Sequence, residues 1–123
     1  MRKDIMEYIC SLHGYLIRLK ELHWNTDSNS EHLLCDEISG CISGCEDEFT
    51  ETAMGLYGEK VRVGELKPLL PNAEQLKPML KELMGETIAM KKRLDKDAEA
   101  GLCNILDDII AASQKYMYRS TQK

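Results

Sequence analysis

The sequence predicts an all-α fold: four helices packed as one bundle, with a long crossover connection between the second and the third. Three observations carry this. Apolar residues recur at spacings of three and four in four separate segments, the period of an amphipathic helix, and no segment reads convincingly as a strand. Only 3 of the 123 residues are proline, and all three lie between Pro68 and Pro78. With 43% hydrophobic and 30% charged residues the chain has the composition of a folded domain, and its length suits one core, so residues 1–123 are read as a single domain.

The first helix runs from about Lys3 to Trp24, with Ile5, Ile9, Leu12, Leu16, Leu19 and His23 on its buried stripe. It stops at the turn-forming run Asn25-Thr26-Asp27-Ser28-Asn29-Ser30. Ser28 followed by Glu31 is a capping box that starts the second helix. This helix runs to about Tyr57 and ends at Gly58, a residue suited to a left-handed stop. The connection that follows, Glu59 to about Asn72, holds Gly64, Pro68 and Pro71. Extended, it would reach roughly 45–50 Å, enough to cross the length of a bundle. The third helix is expected near Pro78, with Leu80, Leu83, Met84, Ile88 and Leu94 inside. Asp95 or Asp97 is expected to cap the fourth, which buries Leu102, Ile105, Leu106, Ile109 and Ile110 and frays after Tyr118. Four helices with this one long connection point to a ferritin-like bundle; simple hairpins are the alternative.

Charge and cysteine content narrow the function. There are 16 basic and 21 acidic residues, a net charge of -5, and neither end carries a basic tail, which argues against direct DNA binding and for a surface that collects cations. No apolar run approaches the ~20 residues of a membrane span and no secretion signal opens the chain, so a cytoplasmic protein is expected. The five cysteines, Cys10, Cys35, Cys41, Cys45 and Cys103, form no C-x-x-C pair and read as reduced thiols in a core.

The second helix has two organised faces. With His32 set at zero on a helical wheel, Asp36, Asp47 and Glu51 fall between about 40° and 100°. Leu34, Ile38, Ile42, Cys45 and Phe49 gather on another side as a core stripe. Between the acids sit Ser39, Gly40, Ser43 and Gly44, small residues that cost helix propensity on an exposed face and allow a second backbone to come close. Carboxylates drawn into such a contact need a partner or a cation. His23, at the end of the first helix, adds another imidazole, and imidazole with carboxylate suits iron or zinc. Each feature also has a plainer reading: His23 as a hydrogen-bonded residue at a helix end, His32 and Asp36 as a surface i,i+4 pair, Asp47 and Glu51 as part of a solvated acidic run.

Leu22-His23-Trp24-Asn25, then His32-x3-Asp36, ten intervening residues and Asp47-x3-Glu51, resembles the ferroxidase signature of the Dps (DNA protection during starvation) mini-ferritins, and is similar to small ferritin-like proteins of bacteriophages. The resemblance covers the first two helices. It implies that His23, His32 and Asp36 of one subunit meet Asp47 and Glu51 of a two-fold partner around iron, with zinc as a substitute, and that Trp24 is the catalytic residue beside that di-iron site. It further implies a homo-oligomer, a two-fold dimer or a dodecameric shell, that oxidises Fe²⁺, sequesters Fe³⁺ and protects against oxidative stress in a bacterial cytosol. The E-x-x-H motifs of a within-subunit di-iron site are absent. Two other readings stand beside it: a metal-free helical interaction module using the small-residue face, and a structural metal site without turnover.

Overall fold

The computed structural model describes residues 1–122, and over these the chain is all-helical: α1 (Lys3–Asn25), α2 (Asn29–Tyr57), α3 (Leu76–Lys92) and α4 (Ala100–Arg119). The Ser28 hydroxyl caps α2 by accepting from Glu31 N–H at 3.2 Å. The other half of the expected capping box is rerouted through Thr26. Thr26 takes the Ser28 N–H on its hydroxyl oxygen and donates that hydroxyl to the Glu31 carboxylate at 2.6 Å. Gly58, at φ 66°, ends α2 in the left-handed conformation.

Two expectations about the later helices change. α3 begins at Leu76, two residues before Pro78, and buries Met79, Leu83, Thr87 and Met90 with Leu76 and Leu80; Met84 and Ile88 are only half-buried, and Leu94 packs from the turn beyond the helix. Asp95 does cap, but what it caps is the turn before α4: its carboxylate accepts from Asp97 and Ala98 N–H.

α1 packs on α2, α3 on α4, α2 on α4 and α1 on α3, whereas α2 and α3 do not touch. The connection explains this order. It starts beside Met1, where Glu59 pairs with the terminal ammonium group, and then follows α1. Cys10 O accepts from Leu69 N–H at 3.1 Å, and Arg18 donates to Pro71 O at 3.1 Å. Its end is held by Glu82, whose carboxylate accepts from Asn72 and Ala73 N–H. The strap passes so close to α1 that a Cβ on Gly14 would stand 1.8 Å from Leu69 O. It therefore returns the chain to the end of the bundle where α2 began.

Tyr8 and Tyr15 join the aliphatic core, and their hydroxyls are matched inside it. Thr87 donates to Leu83 O, so Tyr8 is the donor to Thr87, at 2.8 Å; Tyr15 donates to Glu86 at 2.6 Å. Burial raises both tyrosine pKa values, and the Glu86 carboxylate adds to the effect at Tyr15. At the opposite end of the bundle from the α1–α2 turn, the buried Glu99 carboxylate accepts from Arg2, from Tyr57 and from Asp95 N–H. That clasp draws together the start of α1, the end of α2 and the turn between α3 and α4. None of the helices is long and apolar enough to cross a membrane among the described residues.

Candidate functional site

The α1–α2 turn brings two of the candidate residues into direct contact. The His23 and His32 rings stack with centroids 3.7 Å apart and planes 19° from parallel. Each ring bonds the other residue's backbone, His23 Nδ1 to His32 O and His32 Nδ1 to His23 O, both at 2.8 Å. A carbonyl only accepts, so both Nδ1 atoms carry the proton. This leaves Nε2 of each ring, which has no hydrogen-bond partner among the described residues, as the atom available to an electrophile or a metal. Because a ring nitrogen's lone pair lies in the ring plane, two rings this nearly parallel are ill-suited to converge on one ion. They suit one ion each, side by side.

Asp36 joins the pair from one turn along α2. Its Oδ1 is 3.5 Å from His23 Nδ1, on the side of the ring away from Nε2, and its side chain is 58% exposed. Trp24 stands 71% exposed at the end of α1, with Lys20 Nζ 5.7 Å from its ring centroid, and Leu33 beside His32 in sequence is 59% exposed. Two large apolar residues, each next in sequence to one of the histidines, are thus largely uncovered by their own chain.

Asp47 and Glu51 are exposed and lie elsewhere. α2 rises ~1.5 Å per residue, so Asp47 is about 22 Å along the helix from His32. Among the described residues no three His, Cys, Asp or Glu side chains gather in the manner of a metal cage. Between the two groups the small-residue face is open: Gly40 and Gly44 are exposed, and a Cβ on either would meet nothing within 4 Å. Packing within the chain therefore gives no reason for glycine at either position.

A pair on another seam escaped sequence reasoning. His13 of α1 meets Glu46 of α2, its Nδ1 3.0 and 3.2 Å from the two carboxylate oxygens. The residues are 33 apart and on different helices, so no local spacing announces them. Of the thiols, Cys35 and Cys45 are pushed up to about 11 by burial, which leaves them protonated and poor nucleophiles at neutral pH. A cleft of about 930 Å³ opens at the end of the bundle between the α1–α2 turn, the start of α3 and Arg119. Its walls mix acids (Asp27, Glu31, Glu74) with bases (Lys77, Arg119), so it selects neither sign of ligand.

Comparison with known proteins bears on the same stretch. No curated protein and no solved structure matches the chain. One family does, over residues 23–119, a span that opens at His23 and contains Trp24, His32, Asp36, Asp47 and Glu51. By that match the chain belongs to the family of unknown function DUF5856.

Proposed function

We propose that this chain is a Dps-like mini-ferritin, a ferroxidase that takes Fe²⁺ as substrate at an intersubunit site. The observation that carries the reading is the α2 face. Its chemically equipped residues are disposed symmetrically about a point between residues 41 and 42: Asp36 and Asp47 each about 8 Å from it, His32 and Glu51 each about 14 Å. A two-fold axis there, with two α2 helices antiparallel, sets His32 against the partner's Glu51 and Asp36 against the partner's Asp47. The open glycines and serines sit at the crossing, where close approach needs them. Trp24 and Leu33 gain a partner surface.

Further support comes from the order of the helices and the strap along α1, which are in keeping with a ferritin-like bundle that has a long crossover. The histidine pair offers two separate Nε2 atoms, in keeping with two iron ions rather than one. In this reading His23 and His32 bind through Nε2, the three acids balance the charge that grows as Fe²⁺ becomes Fe³⁺, and Trp24 stands next to the oxidation. Asp36 turns from its place beside Nδ1 to act as a ligand, a motion its exposure allows. The setting is cytoplasmic, the assembly a dimer or a shell, and the biological result removal of Fe²⁺ from peroxide. A metal-free interaction module is favoured by one observation, the lack of a ligand cage among the described residues of the single chain.

Mixed dimers separate the two. His32→Ala/Asp36→Ala subunits and Asp47→Ala/Glu51→Ala subunits are refolded together, then given Fe²⁺ anaerobically followed by peroxide. In a heterodimer one site inherits both lesions and the other none. Random pairing makes about half the dimers heterodimeric, so about a quarter of all sites are intact and activity returns to roughly that fraction of wild type. No rescue, with heterodimers verified by mass, overturns the shared site; no oxidation by wild type overturns the ferroxidase.

A further inference from the structure

The third histidine has the same preparation as the other two. His13 Nδ1 faces both oxygens of Glu46, which leaves its Nε2 free on a side chain 35% exposed. Glu46 is the more enclosed partner, with its side chain 13% exposed. Among the described residues no lysine or arginine pairs with Glu46. One helical turn further along α2, the Thr50 hydroxyl is buried without a hydrogen-bond partner. The seam between α1 and α2 here sets the largely enclosed Glu46 carboxylate against an imidazole, its only balancing group among the described residues.

A carboxylate that accepts the N–H of one ring nitrogen fixes the tautomer, holds the ring and makes the other nitrogen more basic. This is the arrangement found behind metal-ligating histidines. We propose that His13, backed by Glu46, is a second and separate position for a divalent transition-metal ion, with Nε2 as the protein ligand and water completing the shell. Imidazole ligation selects Fe²⁺, Co²⁺ or Zn²⁺ over Mg²⁺ or Ca²⁺. The position lies about 15 Å along α1 from His23, so it does not belong to the stacked pair. With one protein ligand it binds more weakly than a full cage and exchanges ions readily.

The test leaves the proposed oxidation site out. A His23→Gln/His32→Gln chain is titrated with Co²⁺ at neutral pH while the imidazole resonances of His13 are followed by NMR. The expected result is a saturable paramagnetic shift at His13 with one ion per chain. Glu46→Gln should weaken that binding about tenfold or more, the usual cost of removing such a carboxylate. His13→Gln, a change at a partly exposed side chain, should abolish the one-ion-per-chain Co²⁺ binding, followed in that variant by calorimetry because the imidazole is gone. No saturable response at His13, or equal affinity in Glu46→Gln, would overturn the proposal and leave the pair as an ion pair alone. Neither outcome depends on whether the protein oxidises iron.

Discussion

Gly14 offers the sharpest test of how the strap is held, because two effects of the same substitution have opposite signs. In a helix interior Gly→Ala stabilises by ~1 kcal/mol through propensity. At Gly14 the new methyl would stand 1.8 Å from Leu69 O and 2.5 Å from Leu69 C. Both atoms are backbone, so no rotamer change relieves the clash. To reach the 3.4 Å of ordinary contact the strap must retreat by about 1.6 Å. That retreat breaks the 3.1 Å bond from Leu69 N–H to Cys10 O.

Overpacking of this kind costs ~1–3 kcal/mol and the lost bond about 1 kcal/mol more. Set against the helix gain, Gly14→Ala should destabilise by about 1–3 kcal/mol, a fall in Tm of roughly 4–12 °C for a chain of this size. Gly85→Ala is the control: Gly85 is exposed within α3, a Cβ there meets nothing within 4 Å, and the change should raise Tm. A local signal should accompany the global one. Cys10 is 7% exposed beneath the strap, its thiol directed at Glu65 O, so a displaced strap should speed thiol labelling at Cys10, read by peptide mass, relative to Cys35. A Gly14→Ala chain as stable as wild type, with Cys10 still protected, would refute the packing argument.

Gly40→Ala/Gly44→Ala should stabilise the isolated chain by up to ~2 kcal/mol in thermal melts, yet weaken self-association measured by sedimentation, because the added methyl groups stand where two α2 helices would meet. Undiminished association would remove the small-residue face from the dimer. The Glu99 clasp should show in acid: hydrogen bonds from Tyr57, then from Asp95 N–H, hold the Glu99 carboxyl below its ordinary value of 4.5. A carboxyl depressed in the folded state contributes stability that is fully present above the unfolded value and is lost as pH falls through the folded one. Tm should therefore decline below about pH 4.5, and Glu99→Gln should flatten that decline at the expense of a lower Tm at pH 7. An unchanged acid slope would show that other acids carry it.

The helices were legible because their signals are local. Ser28 and Gly58 mark the limits of α2 by side-chain and backbone chemistry that needs no tertiary contact. Tyr8 and Tyr15 were missed as core residues because a tyrosine's ring and hydroxyl pull in opposite directions. Only the partners supplied by α3, Thr87 and Glu86, decide the matter. Gly14 was equally opaque: a glycine in a helix is a question, and its answer lay 55 residues away at Leu69. The histidine pair was half legible. The sequence singled out His23 and His32, but the stacking and the exchanged Nδ1–carbonyl bonds follow from how the turn closes, which no spacing rule encodes.

The separation of the candidate residues is itself informative. α2 is one continuous helix from Asn29 to Tyr57, so the ~22 Å between His32 and Asp47 is fixed by its rise, and no side-chain rotation closes it. Chemistry that needs both ends cannot take place within one chain. The plain alternative, an acidic run solvated on a surface, explains Asp47 and Glu51 one by one. It leaves three things without a cause: two glycines that nothing among the described residues requires, an exposed Trp24 and Leu33 next in sequence to the two histidines, and one imidazole and three acids placed at matching distances from one point on the helix. The proposed second copy, related by a two-fold axis at that point, would account for all three with one operation.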